Sequence, residues 1–211
     1  MFKNFSGKCL VLSPHLDDME LGCGGFIAEI LNNNASVKVA SFSYSEESLP
    51  SGYSKDDIKN ESLLARNNLG LIESDSLFFD YKTRYFSYSR QDILEDMVAI
   101  KKSYTPDLVI LPSSYDSHQD HRVIYEEGVR AFKNSIKLGY QLPWNCSHMS
   151  NNCKLSIDSE SWSKKIKSIS CYKSQLEKNT FDLEFVSIIG LFNGKHTMAE
   201  SFEFIGSTNA F

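Results

Sequence analysis

The chain has 211 residues, of which 41% are hydrophobic and 23% charged, and its formal net charge is −5. This length suits one sizeable α/β domain spanning residues 1–211, because a second full domain would be cramped. The lysines and arginines are scattered, so the chain lacks the basic face that nucleic-acid-binding proteins present.

The five cysteines are odd in number and irregularly spaced. A reduced, cytoplasmic compartment is the simplest interpretation of that pattern. No apolar run approaches the roughly 20 residues that span a bilayer, so we expect no integral membrane segment. The N-terminal segment lacks the small-residue cleavage site of a signal peptide, and its apolar residues are interpreted as a first strand.

Short apolar segments alternate with helix-like segments in the first half of the chain. Strands are predicted at residues 8–13, 36–42, 76–81 and 107–111, and helices at 55–69, 89–104 and 123–132, with Gly70 ending the first of these helices. This alternation predicts a Rossmann-like, doubly wound, mostly parallel sheet. In such a sheet, ligands bind beyond the carboxyl ends of the strands.

The second half of the chain is less regular. Residues 139–157 are rich in turn-forming types, and we expect loops and a strand there. Residues 159–178 predict a helix that begins at Ser159 or Ser161. No internal repeat or linker is visible, which agrees with one domain.

The first polar cluster, SPHLDDME at residues 13–20, follows the first strand directly. An imidazole and carboxylates within four positions form a ligand combination suited to zinc. His15 and Asp18 can reach one ion from a single turn of chain. Asp17 would then lie beside the metal, where a carboxylate can take a proton from a metal-activated water.

The second polar cluster, YDSHQDH at residues 115–121, follows the strand at 107–111. One of its two histidines would complete the metal site, and the other would stabilise charge on a carbonyl oxygen. A carboxylate of the same segment would fix the tautomer of a histidine. Because both clusters follow parallel strands, we expect them to meet at one edge of the sheet.

Two other sets of residues are interpreted as structural. Cys146, His148 and Cys153 match no common zinc spacing, so a loop with incidental cysteines is favoured. The glycine-rich run at 22–25 follows acidic residues and favours close packing of a helix against a strand over a phosphate-binding loop.

The motifs PHLDDMELGCGG and DSHQDH together resemble the LmbE-like, or PIG-L, family of zinc-dependent N-acetylglucosaminyl deacetylases. Leu16 stands where that family usually has Pro, and Met19 separates the acidic pair from Glu20. Three later segments are also similar to the family: NESLLARNNLG at 60–70, KIKSISCYKSQ at 165–175 and MAESFEF at 198–204.

This resemblance assigns roles to individual residues. It implies that His15, Asp18 and His121 hold Zn²⁺ and that Asp17 is the general base. It implies that His118, in protonated form, stabilises the oxyanion or acts as general acid. Three further roles are implied: Asp120 orients or charge-balances His118, Asp116 supports the loop, and Arg84 contacts substrate where the family's arginine is replaced by Lys59 and Asn60.

The implied function is hydrolysis of the N-acetyl group of a GlcNAc-type amino sugar or conjugate, a small-molecule substrate. Tyr115 is a further candidate for substrate contact, and Tyr85 or Tyr88 for lining a sugar site. The sequence is compatible with an oligomer.

Two alternatives remain at this stage. A metal-dependent esterase or another deacylase would use the same site on a non-sugar substrate. A receiver-like signalling domain would bind Mg²⁺ and accept phosphate on Asp80, although Mg²⁺ prefers an all-oxygen shell and the chain is longer than such domains.

Overall fold

The computed structural model describes residues 2, 4–150 and 152–206. The strands in these ranges belong to one sheet. Within these residues it has seven strands: β1 (Lys8–Ser13), β2 (Ser36–Ser41), β3 (Ser76–Phe78), β4 (Leu108–Pro112), β5 (Ile136–Tyr140), β6 (Cys153–Ile157) and β7 (Met198–Phe204). Their order is β3-β2-β1-β4-β5-β7-β6. The first five are parallel, and β7 runs antiparallel to both of its neighbours. The Rossmann-like, mostly parallel sheet is therefore confirmed.

Helices cover both faces of this sheet. They are α1 (Asp18–Asn32), α2 (Lys55–Leu69), α3 (Arg90–Tyr104), α4 (Gln119–Ala131), α5 (Ser159–Ile169), α6 (Lys173–Glu177) and α7 (Leu183–Gly194). Alternate residues of β1 enter two separate cores: Cys9 and Val11 pack beneath α1, whereas Leu10 and Leu12 pack beneath α3 and α4. A strand buried on both faces is continuously apolar, which explains the sequence of β1.

Helix α2 has the predicted bounds because both of its ends are marked locally. The Ser54 hydroxyl accepts a hydrogen bond from the Asp57 backbone N–H, and the Asp57 carboxylate accepts one from the Ser54 backbone N–H. This reciprocal pair satisfies two N–H groups at the start of the helix. At the other end Gly70 takes φ +104°, a conformation that side chains other than hydrogen resist.

Two predicted helices differ from those observed. Helix α4 begins at Gln119, four residues before the predicted start, because the His118 side chain accepts a hydrogen bond from the Asp120 backbone N–H and caps it. The segment 159–178 forms two helices instead of one, since the chain breaks between α5 and α6. Asp158 caps the first of them by accepting from the Ser161 N–H.

The strands also differ in part. The third strand ends at Phe78, three residues before the predicted end. The sequence did not predict strands β5 and β7 or helix α7. It did predict a strand within 139–157, which is found as β6. None of the helices in the described ranges combines the length and apolar character that crossing a lipid bilayer requires.

The glycine-rich run at 22–25 packs α1 against the sheet, as predicted. A Cβ atom at Gly22 would lie 2.5 Å from the ring of Tyr140 on β5. One at Gly25 would lie 2.9 Å from Ile157 of β6. These approaches bring the start of α1, where Asp17 and Asp18 lie, close to the carboxyl end of the sheet.

Candidate metal centre

The two polar clusters lie side by side at the carboxyl edge of the sheet. Strands β1 and β4 are neighbours, and each is followed by the segment that holds one cluster. Asp18 opens α1, and His121 lies in the first turn of α4. The parallel pairing of the two strands therefore brings residues about a hundred positions apart into contact.

Three donor atoms form a near-equilateral triangle. His15 Nδ1 lies 3.3 Å from Asp18 Oδ2, and His121 Nε2 lies 3.3 Å from the same oxygen. The two nitrogens are also 3.3 Å apart. The ligands of a tetrahedral zinc ion, with bonds of about 2.0–2.2 Å, are separated by roughly this distance. The chemistry and the spacing of the set thus fit zinc, with one position left for another ligand.

His118 also belongs to the local cluster of imidazoles. The ligand atoms of His15, His118 and His121 all lie within 4.8 Å of one another, so these three histidines form an alternative metal-binding set. We favour the set with Asp18, because its three separations are equal and shorter and its carboxylate offsets the ion's charge.

In each candidate histidine ligand, the ring nitrogen on the side away from Asp18 (the far nitrogen) lies close to a carboxylate. Asp116 Oδ2 lies 2.8 Å from His121 Nδ1, and Asp120 Oδ2 lies 3.3 Å from His15 Nε2. A proton on each far nitrogen leaves the near nitrogen with its lone pair toward Asp18. This is the arrangement that orients metal-bound imidazoles and raises their basicity.

The carboxylates around the two candidate histidine ligands favour protonation of their rings and raise their pKa. Burial lowers the pKa of His15, but hydrogen bonds with Asp120 and Asp18 outweigh it and raise the pKa to about 9. Burial likewise opposes protonation of His121, whereas Asp18 and Asp116 raise its pKa to about 10. The pKa of Asp18 is held far below its usual range, against burial, by His121 and His15. A cation is therefore favoured at this point, whether proton or metal.

Asp17 lines the same cleft without holding another group. It caps α1 by position, yet its side chain makes no capping hydrogen bond. Burial, together with the neighbouring Asp18 carboxylate, raises the pKa of Asp17 to about 6. Its carboxylate is thus available to exchange a proton near neutral pH.

His118 differs from the predicted protonated form. Its Nδ1 accepts a hydrogen bond from the Asp120 backbone N–H at 3.2 Å, so that nitrogen carries no proton. Burial, followed by repulsion from His121 and His15, lowers the pKa of His118 to about 4. The ring is therefore neutral at pH 7 and carries its proton on Nε2, which makes it a hydrogen-bond donor and not an imidazolium acid.

Asp120 has more contacts than the prediction gave it. Its backbone N–H donates to His118 Nδ1, and its carboxylate partly opposes the lowering of the His118 pKa, which agrees with the charge-balancing role. The carboxylate also contacts His15 and accepts the Arg84 backbone N–H. Asp116 supports the loop, as the resemblance implies, because its Oδ1 accepts the His118 backbone N–H at 2.9 Å.

The cleft around these residues has a cavity volume of about 230 Å³ and is open to solvent. Besides the polar clusters it is lined by Leu21, Ser45, Ser48, Thr83, Trp144, Asn145, Gln175, Lys178, Thr180 and Phe181. Trp144 and Asn145 follow β5, whose carboxyl end meets the same edge. Recognising β5 as a strand would have identified them from the sequence.

The predicted substrate contacts are not among these lining residues. The Arg84 side chain extends to the Glu47 carbonyl at 3.4 Å. Arg84 contributes to the site only through its backbone N–H, which donates to the Asp120 carboxylate. The Tyr115 ring packs edge-on against His148, with centroids 4.9 Å apart. Tyr85 and Tyr88 are exposed and also lie outside the lining.

The other sequence candidates stay outside the centre. Cys146, His148 and Cys153 form no metal-binding group within the described ranges, and both cysteines are free. Asp80, the phosphate acceptor of the receiver-like alternative, is exposed and forms an ion pair with Lys55. Neither set lines the cleft.

Solved structures share this fold at low sequence identity. N,N'-diacetylchitobiose deacetylase from Pyrococcus horikoshii is 21% identical with a TM-score of 0.77, covering 94% of this chain and 83% of that chain. The zinc-inhibited form of a teicoplanin deacetylase is 16% identical with a TM-score of 0.77, covering 96% and 100%. A 4-carboxy-2-hydroxymuconate hydratase from Pseudomonas putida KT2440 is 20% identical with a TM-score of 0.78, covering 94% and 96%. At these identities the likeness shows the fold alone, and the fold hosts more than one reaction.

The sequence itself matches one family. The family described as PIG-L, GlcNAc-PI de-N-acetylase, matches residues 10–132. This stretch includes both polar clusters and runs from β1 through α4. It thus covers more than half of the chain, and all of the candidate metal centre.

Proposed function

Because the chain belongs to the PIG-L family, we propose that it is a zinc-dependent hydrolase that removes the N-acetyl group from a GlcNAc-type amino sugar or conjugate. The observation that supports this most is the triangle of His15, Asp18 and His121, with Asp17 and His118 on the same cleft. These five residues supply the groups that amide hydrolysis needs: a metal site, a base and a hydrogen-bond donor.

The metal site and its carboxylates define the proposed cofactor position. His15, Asp18 and His121 would hold zinc, while Asp120 and Asp116 keep the two imidazoles in the ligating tautomer. When bound there, zinc supplies Lewis acidity, which polarises a carbonyl and lowers the pKa of water to about 7.

The protein's own groups carry the proton transfers of the proposal. The Asp17 carboxylate takes a proton as the water oxygen bonds to the acetamido carbon. The His118 Nε2–H donates a hydrogen bond to the carbonyl oxygen as negative charge develops on it. The protonated Asp17 then returns its proton to the leaving nitrogen as the C–N bond breaks, which yields acetate and a free amine.

The cleft has a cavity volume of about 230 Å³ and is open to solvent, so the substrate is proposed to be a small molecule that extends partly outside it. The free cysteines agree with the predicted cytoplasmic location. That location, the single domain over residues 1–211 and the oligomeric state stay predictions.

Acetate release tests the proposed reaction. Zinc-loaded protein is incubated with N-acetyl sugars, nucleotide sugars and GlcNAc conjugates, and the Asp17→Asn variant serves as the control. Release from a member of the panel by wild type and not by the variant is the expected result. Stoichiometric zinc binding without release from any member would contradict deacetylation of this substrate class and favour a different acyl group or an ester.

A further inference from the structure

Helix α1 contains a break one turn after the acidic pair. Cys23 takes φ −146° and ψ 15°, so α1 consists of two helical parts joined by a kink. In an unbroken helix, the Gly25 N–H would donate to the Leu21 carbonyl. Kinks of this kind arise where another group enters the ladder of backbone hydrogen bonds.

A buried ion pair occupies this break. Lys165 Nζ donates to the Leu21 carbonyl at 2.8 Å and to Glu200 Oε1 at 2.6 Å. Glu200 Oε1 in turn accepts the Gly25 N–H at 2.9 Å, and Oε2 accepts the Phe26 N–H at 2.8 Å. The pair thus links the carbonyl of the first helical part to the N–H groups of the second.

The two partners come from elements that supply no candidate metal ligand. Lys165 belongs to α5 and Glu200 to β7, in the two later segments that resemble the family and that the proposed reaction does not use. Both side chains are only 3% exposed. A buried charge pair of this kind is costly unless its hydrogen bonds are satisfied, and here both partners bind backbone groups as well.

The first helical part connects the pair to the proposed base. The Leu21 N–H donates to the Asp17 carbonyl at 3.1 Å, while the Leu21 carbonyl is held by Lys165. Asp18 lies between these two residues on the same turn. One short helical turn therefore carries both the base and a metal ligand, and its far end is fixed by Lys165.

We propose that Lys165 and Glu200 are positioning residues, which fix the first turn of α1 and so the placement of Asp17 and Asp18. Neither residue is among those that line the cleft. This inference rests on the proposed metal centre, and it assigns to the two late segments the task of orienting that centre.

Three variants test the pair. Lys165→Met keeps the approximate length of the side chain but removes the donor. Glu200→Gln removes the charge, and its amide NH₂ group would face the backbone N–H of Gly25 or Phe26, which is itself a donor. The double variant Lys165→Met/Glu200→Gln restores charge balance without restoring the link. Lys164→Met is the matched control, because Lys164 lies next in sequence and pairs with Glu160 on the surface.

Four readouts are measured: the visible spectrum of the cobalt-substituted protein, zinc affinity by chelator competition, kcat and KM, and the urea midpoint. The single variants are expected to alter the cobalt spectrum, weaken zinc binding roughly 10-fold and lower kcat roughly 10-fold with KM unchanged. The double variant should regain much of the urea midpoint, since no charge is left unpaired, while the spectrum and kcat stay altered. Lys164→Met should match wild type in all four.

One set of results would contradict the positioning role of Lys165 and Glu200. If all three variants keep the wild-type cobalt spectrum, zinc affinity and kcat per bound metal, and only the urea midpoint falls, the pair stabilises the fold and positions nothing. If Lys165→Met does not fold, Glu200→Gln and the double variant decide the question. The spectrum and zinc affinity need no substrate, so they test this inference even if wild type releases no acetate.

Discussion

The Asp116 carboxylate lies 2.8 Å from Nδ1 of His121, and Nε2 of the same ring lies 3.3 Å from the Asp18 carboxylate. One imidazole therefore connects a buried carboxylate to the proposed metal position. The two carboxylates bind opposite ring nitrogens, which leaves little freedom for the ring to turn or change tautomer.

The first prediction concerns this carboxylate. Asp116→Asn should weaken zinc binding roughly 10- to 100-fold, because the amide no longer fixes the tautomer or raises the basicity of His121. Chelator competition measures the change, and Asp92→Asn, at an exposed position of α3, is the matched control. Unchanged zinc affinity in Asp116→Asn would contradict the role of Asp116 in holding His121 toward the metal.

The second prediction separates two tasks of His118. His118→Asn should still cap α4, because asparagine is a preferred N-cap residue, but it loses the Nε2–H donor. We expect kcat to fall by about 100- to 1000-fold, with zinc content and KM nearly unchanged. His118→Ala loses the cap as well and should also lower the free energy of unfolding. Near-normal kcat in His118→Asn would remove this residue from the proposed mechanism.

The third prediction concerns metal removal. Zinc that binds only the folded protein stabilises it by about 2.7 kcal/mol at a hundredfold excess over Kd. For a chain of this size that raises Tm by roughly 5–10 °C, measured by differential scanning calorimetry with and without a chelator. His121→Ala should lose this response. A wild-type Tm that does not respond to zinc would contradict a site formed by the folded chain.

The fourth prediction concerns the end of α2. Gly70→Ala should lower the free energy of unfolding by about 1–2 kcal/mol, because φ +104° is unfavourable for a side chain. Gly70→Asn should cost less, since asparagine tolerates left-handed conformations better. Urea unfolding measures both. Equal stability of all three proteins would show that this residue is not held in the left-handed conformation.

The sequence predicted those parts of the fold that have local signals. Helix α2 was predicted with its bounds from the spacing of its apolar residues and from Gly70. The structure adds that Ser54 and Asp57 mark its start within the chain itself. Strand β4 was evident from its continuous apolar run, and the alternation of elements predicted the parallel sheet. The resemblance to the PIG-L family was confirmed by the match over residues 10–132.

Other features depend on contacts between distant residues. Strands β5 and β7 were missed because β5 contains Lys137 and Gly139, and β7 contains two consecutive polar residues, Glu200 and Ser201, that are nevertheless buried. Lys137 is buried because its ammonium donates to the carbonyls of Phe132 and Ser135, which composition does not reveal.

In the site, too, some contacts join residues that are far apart in the sequence. That the Asp120 carboxylate contacts His15, 105 residues away, follows from the neighbouring positions of β1 and β4. The position of Asp120 two residues after His118 gave no sign of this second partner. Similarly, Trp144 and Asn145 enter the cleft only because β5 extends the parallel sheet.

Zinc titration of metal-free protein tests the central claim most directly. Acetate release from a responsive substrate is followed against bound zinc, for wild type and for Asp17→Asn. Wild-type release is expected to rise in proportion to zinc up to one ion per chain. Asp17→Asn should bind the same amount of zinc while its release falls by about 100- to 10,000-fold. Release without bound metal would contradict the zinc-dependent mechanism, and near-normal release by zinc-loaded Asp17→Asn would contradict the role of Asp17 as base.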